Sequence, residues 1–166
     1  MNSRAEITIA PASPESANGR EAVRRYLDDI ISRFYGRQAT DAEIDLELSE
    51  GPAEELAPPQ GYFLIAHAGN DVVGCAGFRL IEPGLGEVRR VFVSPDARGR
   101  GVGARLLGEI ERAALDAGLT RLRLDTRSDL VEARRLYTRA GYSEVERFND
   151  SPYAQHWFAK SLHPSP

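Results

Sequence analysis

Apolar residues recur along the chain at two spacings, and the spacing separates predicted helices from predicted strands. A spacing of three to four residues predicts helices over 20–34 and 101–117, while the capping-box pattern Thr40-x-x-Glu43 begins a short helix that ends near Ser49. Short apolar runs predict strands over 6–10, 62–67, 72–81, 87–93 and 119–126. A further helix, capped by Asp129-x-x-Glu132 and ending at Gly141, precedes two last strands over 142–148 and 153–162.

The order of these elements indicates the architecture. One strand, two helices, three strands, a helix, a strand, a helix and two strands predict an α/β fold of the α+β mixed-sheet type, with helices on both faces of a central sheet. The turn Ala68-Gly69-Asn70-Asp71 joins two of the strands as a hairpin. A length of 166 residues suits one hydrophobic core, so a single domain, 1–166, is predicted.

Composition narrows the classes of partner. The formal net charge of -4 argues against nucleic-acid binding, which needs a basic surface. No apolar run reaches the length of a membrane span, and residues 1–14 lack the basic-then-apolar order of a signal peptide. We therefore expect a cytoplasmic protein with neither a membrane nor a nucleic acid as partner.

Cysteine and histidine offer little chemistry of their own. Cys75 is the only cysteine, so no internal disulfide forms, and its apolar neighbours predict a buried side chain. His67, His156 and His163 are scattered without the spacing of metal ligands, so no metal is expected. His156 is a candidate for lining an acceptor pocket, and simple packing or surface exposure is the alternative.

The strongest local pattern is Arg98-Gly99-Arg100-Gly101-Val102-Gly103, which follows a predicted strand and opens a predicted helix. A helix N-terminus presents amides without internal partners, and glycines let a phosphate approach the backbone. A P-loop does not fit, because no lysine or hydroxyl follows Gly103. A dinucleotide fingerprint fits Gly99-x-Gly101 with Ala104 in third place, but this unit follows three earlier strands instead of opening a repeated βαβ fold.

Two segments carry a family resemblance. Val91–Gly103 resembles the coenzyme A motif of the GNAT (GCN5-related) N-acetyltransferases, whose Arg/Gln-x-x-Gly-x-Gly/Ala signature is met by Arg98, Gly101 and Gly103. Glu132–Tyr142 is similar to the second motif, a helix with Ala-x-x-x-Tyr that ends in Gly-Tyr. Many members have asparagine where this chain has Leu130, and Ser128 or Asp129 could replace it. Residues 149–158 resemble the C-terminal strand of a bacterial small-molecule-type subgroup.

The resemblance implies the GNAT acyl-CoA N-acyltransferase fold, with a central, mostly antiparallel sheet, and acetyl-CoA as cosubstrate. It implies that one strand pairs with the pantetheine arm, that a bulge there frees an amide for the thioester oxygen, and that the glycine-rich turn surrounds the pyrophosphate. The residues expected to bind the cosubstrate are Val91, Phe92, Val93, Arg98, Gly99, Arg100, Gly101, Val102, Gly103 and Ala104.

Two residues are candidate catalytic groups by the same resemblance. Family members use a glutamate at the position of Glu87 as general base, and a solvated carboxylate or an ion pair with Arg89 is the alternative. They use the tyrosine matched by Tyr137 to protonate the departing thiolate, and a core aromatic is the alternative. Arg89 and Arg90, as neighbours on a strand, are expected to face opposite sides, with one toward the site or paired with a carboxylate.

These observations predict an acyltransferase that moves acetyl from acetyl-CoA to the primary amine of a small molecule. Direct attack in a ternary complex is expected, since Cys75 is poorly placed to act as a nucleophile. The alternatives are acetylation of a protein N-terminus or lysine, and a non-catalytic acyl-CoA-binding sensor. An antibiotic-modifying role would need an acidic groove, which the segment 41–56 could supply. Pairing of the last strands could form a homodimer.

Overall fold

The computed structural model describes residues 5–51 and 53–163, which build one seven-stranded sheet flanked by four α-helices. The helices are α1 (Ala17–Tyr35), α2 (Asp41–Glu50), α3 (Val102–Asp116) and α4 (Val131–Arg139). The strands are β1 (Ile7–Pro11), β2 (Gly61–Ala68), β3 (Asp71–Glu82), β4 (Leu85–Val93), β5 (Arg121–Thr126), β6 (Ser143–Glu144) and β7 (His156–Ser161). Short 3₁₀ turns lie at Ala53–Leu56 and Pro95–Ala97.

The sheet has the order β1-β2-β3-β4-β5-β7-β6, and all its neighbours are antiparallel except β4 and β5. These two central strands run parallel and pair only from Leu85–Glu87 to Arg121–Arg123. β4 then continues to Val93 without β5 as its hydrogen-bonded neighbour, so the sheet opens at its centre. The predicted fold class and the mostly antiparallel sheet are confirmed.

Helices cover both faces of the sheet, because the strands alternate apolar side chains between two cores. The core under α3 and α4 contains Val88, Leu106, Ile110, Leu122 and Phe158. The core under α1 and α2 contains Ala22, Leu27, Ile44, Phe63, Ile65 and the predicted buried cysteine, Cys75. The central opening therefore lies between two packed layers.

Side-chain caps begin the first two helices where the local sequence provides them. The Ser16 side chain accepts from the Gly19 amide at the start of α1. Thr40 and Glu43 form the predicted capping box at the start of α2, with the Glu43 amide donating to Thr40 Oγ1 at 3.2 Å and the Thr40 amide to Glu43 Oε1 at 2.9 Å. The predicted capping box is thus confirmed.

The start of α4 differs from its prediction. Leu130, and not Asp129, occupies the N-cap position, without a side-chain cap. The reason is that the Asp129 carboxylate accepts from Arg127 Nε and Nη2 at 2.8 and 2.7 Å, so it is turned away from the helix amides. The helix ends at Arg139, two residues before the predicted Gly141.

The last strand pair is shorter than predicted. β6 covers only Ser143–Glu144, and most of residues 145–155 form an irregular connection. Arg147 in this connection donates to the Asn149 carbonyl at 2.8 Å and to Asp150 at 3.0 Å. These local bonds take the place of a continued strand ladder, which explains the error.

Among the residues that the structure describes, no helix is both long enough and apolar enough to cross a membrane. The acidic segment 41–56 forms α2 and the 3₁₀ turn that follows, and its residue Pro52 lies outside the described residues. Asp41 and Asp45 of this segment pair with Arg24, at 2.9 and 3.0 Å. Those two carboxylates therefore face a cation on α1.

Candidate active site

A cavity of about 1100 Å³ occupies the opening where β4 and β5 part. It is lined by β4, by the inner side of α1, by α3 as far as Glu111, by α4 along its whole length, and by the connection before β7. The position follows from the topology, because a short parallel ladder that stops at Glu87 leaves the edge of β4 facing open space. An extended ligand can pair with such a free strand edge as an additional strand would.

The N-terminus of α3 forms the floor of one end of this cavity. Gly101 occupies the N-cap position with φ 75°, a left-handed conformation that suits glycine, and no side chain caps the helix. The first intrahelical bond runs from the Arg105 amide to the Gly101 carbonyl, so the amides before Arg105 have no intrahelical acceptor. Unpaired amides at the positive end of a helix dipole are suited to binding a phosphate.

A second glycine lets α3 approach α4. A Cβ atom at Gly103 would lie 2.9 Å from Leu136 Cδ2 and 3.6 Å from Val93 Cγ2, so a larger residue would push these elements apart. The predicted cosubstrate residues Val91, Phe92, Val93, Arg98, Gly99, Gly101, Val102, Gly103 and Ala104 all line the cavity. The structure therefore brings nine of the ten together, in the order that the sequence predicts.

The two arginines of the glycine-rich turn have different positions. The Arg98 guanidinium lines the cavity, where Nη2 lies 3.6 Å from Asp29 of α1 and 3.8 Å from Glu132 of α4. Arg33 of α1 also binds Glu132, so these ion pairs join α1 to α4 at the cavity. Arg100 instead donates to the carbonyl of Ala5 at 2.7 Å and is not a lining residue.

A β-bulge lies in the middle of β4. Gly77 pairs with Arg89 and Cys75 with Phe92, so that two residues of β4, Arg90 and Val91, oppose a single residue of β3. Arg90 takes φ 57°, which is unusual for a residue other than glycine. A bulge of this kind rotates the following amides away from the regular ladder.

The bulge corrects the prediction that Arg89 and Arg90 face opposite sides. Both guanidinium groups lie near Tyr26 of α1, where their charges work against the rise in the Tyr26 pKa that burial causes. Arg90 Nη2 also approaches the carbonyl of Gly51 at 3.5 Å, and Arg89 Nη1 approaches Glu87 Oε1 at 3.4 Å. The extra residue of the bulge cancels the strict alternation of a strand, so both arginines occupy the α1 side.

Glu87 is 3% exposed and lines the cavity at the point where β4 and β5 part. Arg79 and Arg89 each donate to its Oε1 at 3.4 Å, and Arg123 donates to its Oε2 at 3.2 Å. Of the two alternatives to a catalytic role, the ion pair with Arg89 is present, whereas the solvated carboxylate is wrong. A carboxylate offers roughly four lone-pair sites, so these three donors leave one on Oε2.

Tyr137 lies on α4, on the other wall of the same cavity, and is 6% exposed. Its ring packs against Tyr142 and Phe158, with centroids 6.0 Å apart in each case, so the side chain is held in one orientation. Burial raises the pKa of Tyr137 far above its ordinary value, and the nearby charge of Asp125 acts in the same direction. The hydroxyl is therefore kept protonated, as a proton donor requires.

Several residues in and beside the cavity are absent from the predicted site. Arg79 and Arg123 flank Glu87 because the strand register sets Arg79, Glu87 and Arg123 in one row across β3, β4 and β5. Asp125 accepts from the Asn149 amide at 2.8 Å, and Asn149 Oδ1 accepts from Trp157 Nε1 at 2.9 Å. The family resemblance of the run 149–158 was the only sequence signal for Asn149 and Trp157. No local pattern predicts Arg79 and Arg123, because the register of β3 and β5 depends on the fold.

Other candidates lie away from the cavity. Ser128 contacts His156 Nε2 at 2.9 Å, and Asp129 binds Arg127, so neither reaches the cavity as a substitute for the missing asparagine, whereas Leu130 lines it. His156 is not a lining residue. Within 5–51 and 53–163, no three histidine, cysteine or acidic side chains gather as a metal site would require.

Cys75 is fully buried in the core beneath α1, outside the cavity lining. Its Sγ lies 3.2 Å from the carbonyl of Arg90 and donates to it. Burial raises the pKa of this thiol to about 12, so the nucleophilic thiolate is not available near neutral pH.

Comparison with known proteins agrees with this geometry. The family model described as acetyltransferase (GNAT) family matches residues 24–142. The chain is 41% identical to an IAA acetyltransferase of Azospirillum brasilense, over 89% of this chain and 90% of that protein. It is 31% identical to an aminoalkylphosphonate N-acetyltransferase of Salmonella typhimurium, over 61% of this chain and 70% of the relative.

A solved structure shows the same fold. The PaiA N-acetyltransferase from Thermoplasma acidophilum, in complex with coenzyme A, superposes with a TM-score of 0.72 at 17% identity, covering 95% of this chain and 99% of that one. The match of the family model to most of the chain, together with the Azospirillum relative, establishes the lineage. The chain belongs to the GNAT family of acetyltransferases and is an acyltransferase.

Proposed function

We propose that this acyltransferase transfers acetyl from acetyl-CoA to the primary amine of a small molecule, by direct attack in a ternary complex. The observation that carries the proposal is the continuity of one cavity, which joins the amides at the start of α3 to both Glu87 and Tyr137. A phosphate-bearing cosubstrate and an amine can therefore meet between a carboxylate and a phenol.

Each group has a role that its surroundings support. The amides of Val102, Gly103 and Ala104 hold the pyrophosphate, and the free edge of β4 pairs with the pantetheine arm. The bulge at Arg90 and Val91 presents an amide to the carbonyl oxygen of the thioester, where negative charge develops. Acetyl-CoA supplies the activated acetyl group.

The two catalytic residues divide the proton transfers. Glu87 Oε2, which has one free lone-pair site, takes the proton of the amine, directly or through water. The Tyr137 hydroxyl donates a proton to the leaving thiolate. Arg79, Arg89 and Arg123 fix the carboxylate of Glu87 as positioning residues. Attack without an acyl-enzyme is supported by the burial of Cys75 outside the cavity.

A small acceptor suits the shape of the cavity better than a protein does. The ion pairs from Arg98 and Arg33 to Asp29 and Glu132 join α1 to α4, so the cavity is bounded by side chains from both helices. The Salmonella relative, named for aminoalkylphosphonate, is an example of a family member whose named acceptor is a small molecule.

The proposal is tested by measuring thiol release from acetyl-CoA with a panel of small amines, amino acids and peptides, and by mass spectrometry of the products. We expect acetylation of at least one class of small primary amine. Activity on peptides alone would indicate a protein acetyltransferase. Binding of acetyl-CoA without turnover of any amine would indicate a sensor and contradict the proposal.

The cosubstrate site is tested by a pair of glycine substitutions at the two ends of α3. Gly101→Ala places a methyl group at the N-cap of α3, and Gly118→Ala does so after its C-terminus; both positions have positive φ, 75° and 85°, and a Cβ at either meets nothing within 4 Å. Both variants should lose about 1 kcal/mol of stability through backbone strain.

Only Gly101→Ala should weaken the binding of the cosubstrate, because Gly101 lines the cavity and Gly118 does not. We expect the KM for acetyl-CoA to rise roughly tenfold, the loss of about one hydrogen bond to a charged group. Calorimetric titration with coenzyme A checks the affinity without turnover. Equal affinities for the two variants would show that the phosphate binds elsewhere.

A further inference from the structure

The acceptor side of the cavity holds more cationic groups than Glu87 can satisfy. Arg79, Arg89 and Arg90 line the cavity there, and Arg123 stands behind Glu87. Glu87 binds three of these guanidinium groups, and Arg79 also reaches Glu55 at 3.3 Å. Among the side chains that the structure describes, which exclude that of Glu54, Arg90 has no carboxylate within 4 Å, and it approaches the Gly51 carbonyl at 3.5 Å.

Several features make the position of Arg90 energetically unfavourable. Burial lowers the pKa of Arg90, and the neighbouring charge of Arg89 lowers it further. The residue also adopts φ 57°, in which non-glycine residues are strained. A guanidinium has five N–H donors, so one distant carbonyl leaves most of them without an acceptor among the side chains and backbone groups that the structure describes. These features together indicate an anionic partner that arrives with a ligand.

The phosphates of the cosubstrate do not suit this position. Arg90 is three residues before Val93 on β4, roughly 10 Å along a strand, and the turn to α3 begins only after that. Val91 and Val93 pack toward α3, whereas Arg89 and Arg90 lie near Tyr26 of α1. The arginine pair and the N-terminus of α3 are therefore two separate anion-binding features on opposite faces of β4.

We propose that the acceptor amine also carries an acidic group, a carboxylate or a phosphonate, which binds Arg89 and Arg90 while the amine lies beside Glu87. The inference rests on the proposed acetyltransferase function. Arg89 Nη1 lies 3.4 Å from Glu87 Oε1, so only a short chain separates the two groups of the acceptor. Guanidinium forks bind planar carboxylates and tetrahedral oxyanions with paired hydrogen bonds.

The first experiment compares matched acceptors with the wild-type enzyme and acetyl-CoA. Amino acids from glycine to 5-aminopentanoate are set against their neutral primary amides and against aminoalkylphosphonates of equal chain length. We expect kcat/KM for acids to exceed that for amides by at least tenfold, as a charge-assisted bond implies. The carboxylate and phosphonate series distinguish the two acidic groups.

The second experiment removes the guanidinium of Arg89. Arg89→Gln should lower the acid-to-amide ratio of kcat/KM at least tenfold, chiefly through the KM for the acids. Arg89→Lys keeps the positive charge but loses the two-pronged guanidinium. Its acid-to-amide ratio of kcat/KM should lie between those of the wild type and Arg89→Gln. Arg112→Gln is the matched control, since Arg112 pairs with Glu109 on the outside of α3 and does not line the cavity. Thermal denaturation shows that each variant folds.

The outcomes separate this inference from the function on which it rests. A kcat/KM for the neutral amides equal to that for the acids would overturn the acidic acceptor and leave the acetyltransferase function intact. An Arg89→Gln variant with an unchanged acid-to-amide ratio would overturn the role of the arginine pair. Failure to acetylate any amine in the wider panel would overturn the function itself, and the acidic acceptor with it.

Discussion

Replacing Tyr137 by phenylalanine is expected to lower kcat roughly a hundredfold, the usual contribution of a positioned proton donor. The substitution removes only the hydroxyl group, and the ring keeps its packing against Tyr142 and Phe158. Because we propose that β4 and α3 bind the cosubstrate, the KM for acetyl-CoA should change less than about twofold. Steady-state kinetics with saturating amine measures both constants.

The pH dependence of this step follows from the direction of the pKa shift. Burial raises the pKa of Tyr137, so the hydroxyl stays protonated throughout the range in which enzymes are assayed. Loss of the donor would begin only above the ordinary tyrosine pKa of about 10. Ionisation of Tyr137 should therefore produce no fall in the wild-type rate between about pH 7 and pH 10.

Tyr142→Phe is the matched control for this prediction. Tyr142 is 3% exposed and its ring lies beside that of Tyr137, but it does not line the cavity. The control loses the same atom from the same buried layer, so it should retain kcat. Equal activity of the Tyr137→Phe and wild-type enzymes would remove Tyr137 from the mechanism, and an equal loss in both variants would assign the effect to packing.

The sequence was sufficient for the parts of the fold that depend on local patterns. Thr40 and Glu43 specify a cap within one turn, and the strand–glycine turn–helix unit specifies the uncapped N-terminus of α3, because both depend on residues close together in the chain. Asp129 shows the limit of such local rules. Its carboxylate could cap α4, but Arg127 binds it instead, and this competition depends on the fold around it.

The acceptor half of the site could not be predicted for a different reason. Arg79, Glu87 and Arg123 are distant in sequence and meet only because of the register of three strands, which local spacing does not encode. The bulge adds a second difficulty, since one extra residue in β4 reverses the side on which Arg90 lies. The α3 end of the cavity follows a short motif, whereas the surroundings of Glu87 are assembled by strand register.

Substitution of Glu87 should have the second large effect on catalysis. Glu87→Gln should lower kcat at least a hundredfold, because an amide cannot take the proton of the amine. The variant should also lose about 3 kcal/mol of stability, since three guanidinium groups would face a buried neutral side chain. Steady-state kinetics measures the fall in kcat, and thermal denaturation measures the loss of stability.

Arg123→Gln separates catalysis from stability. It breaks the same buried ion pair from the other side and keeps the carboxylate, with Arg79 and Arg89 still bound to Oε1. We expect a smaller fall in Tm, measured by thermal denaturation, because two of the three ion pairs remain, and a kcat within about fivefold of the wild type. If Arg123→Gln loses as much kcat as Glu87→Gln, the carboxylate acts by holding the arginines in place, and the proton of the amine leaves by another route.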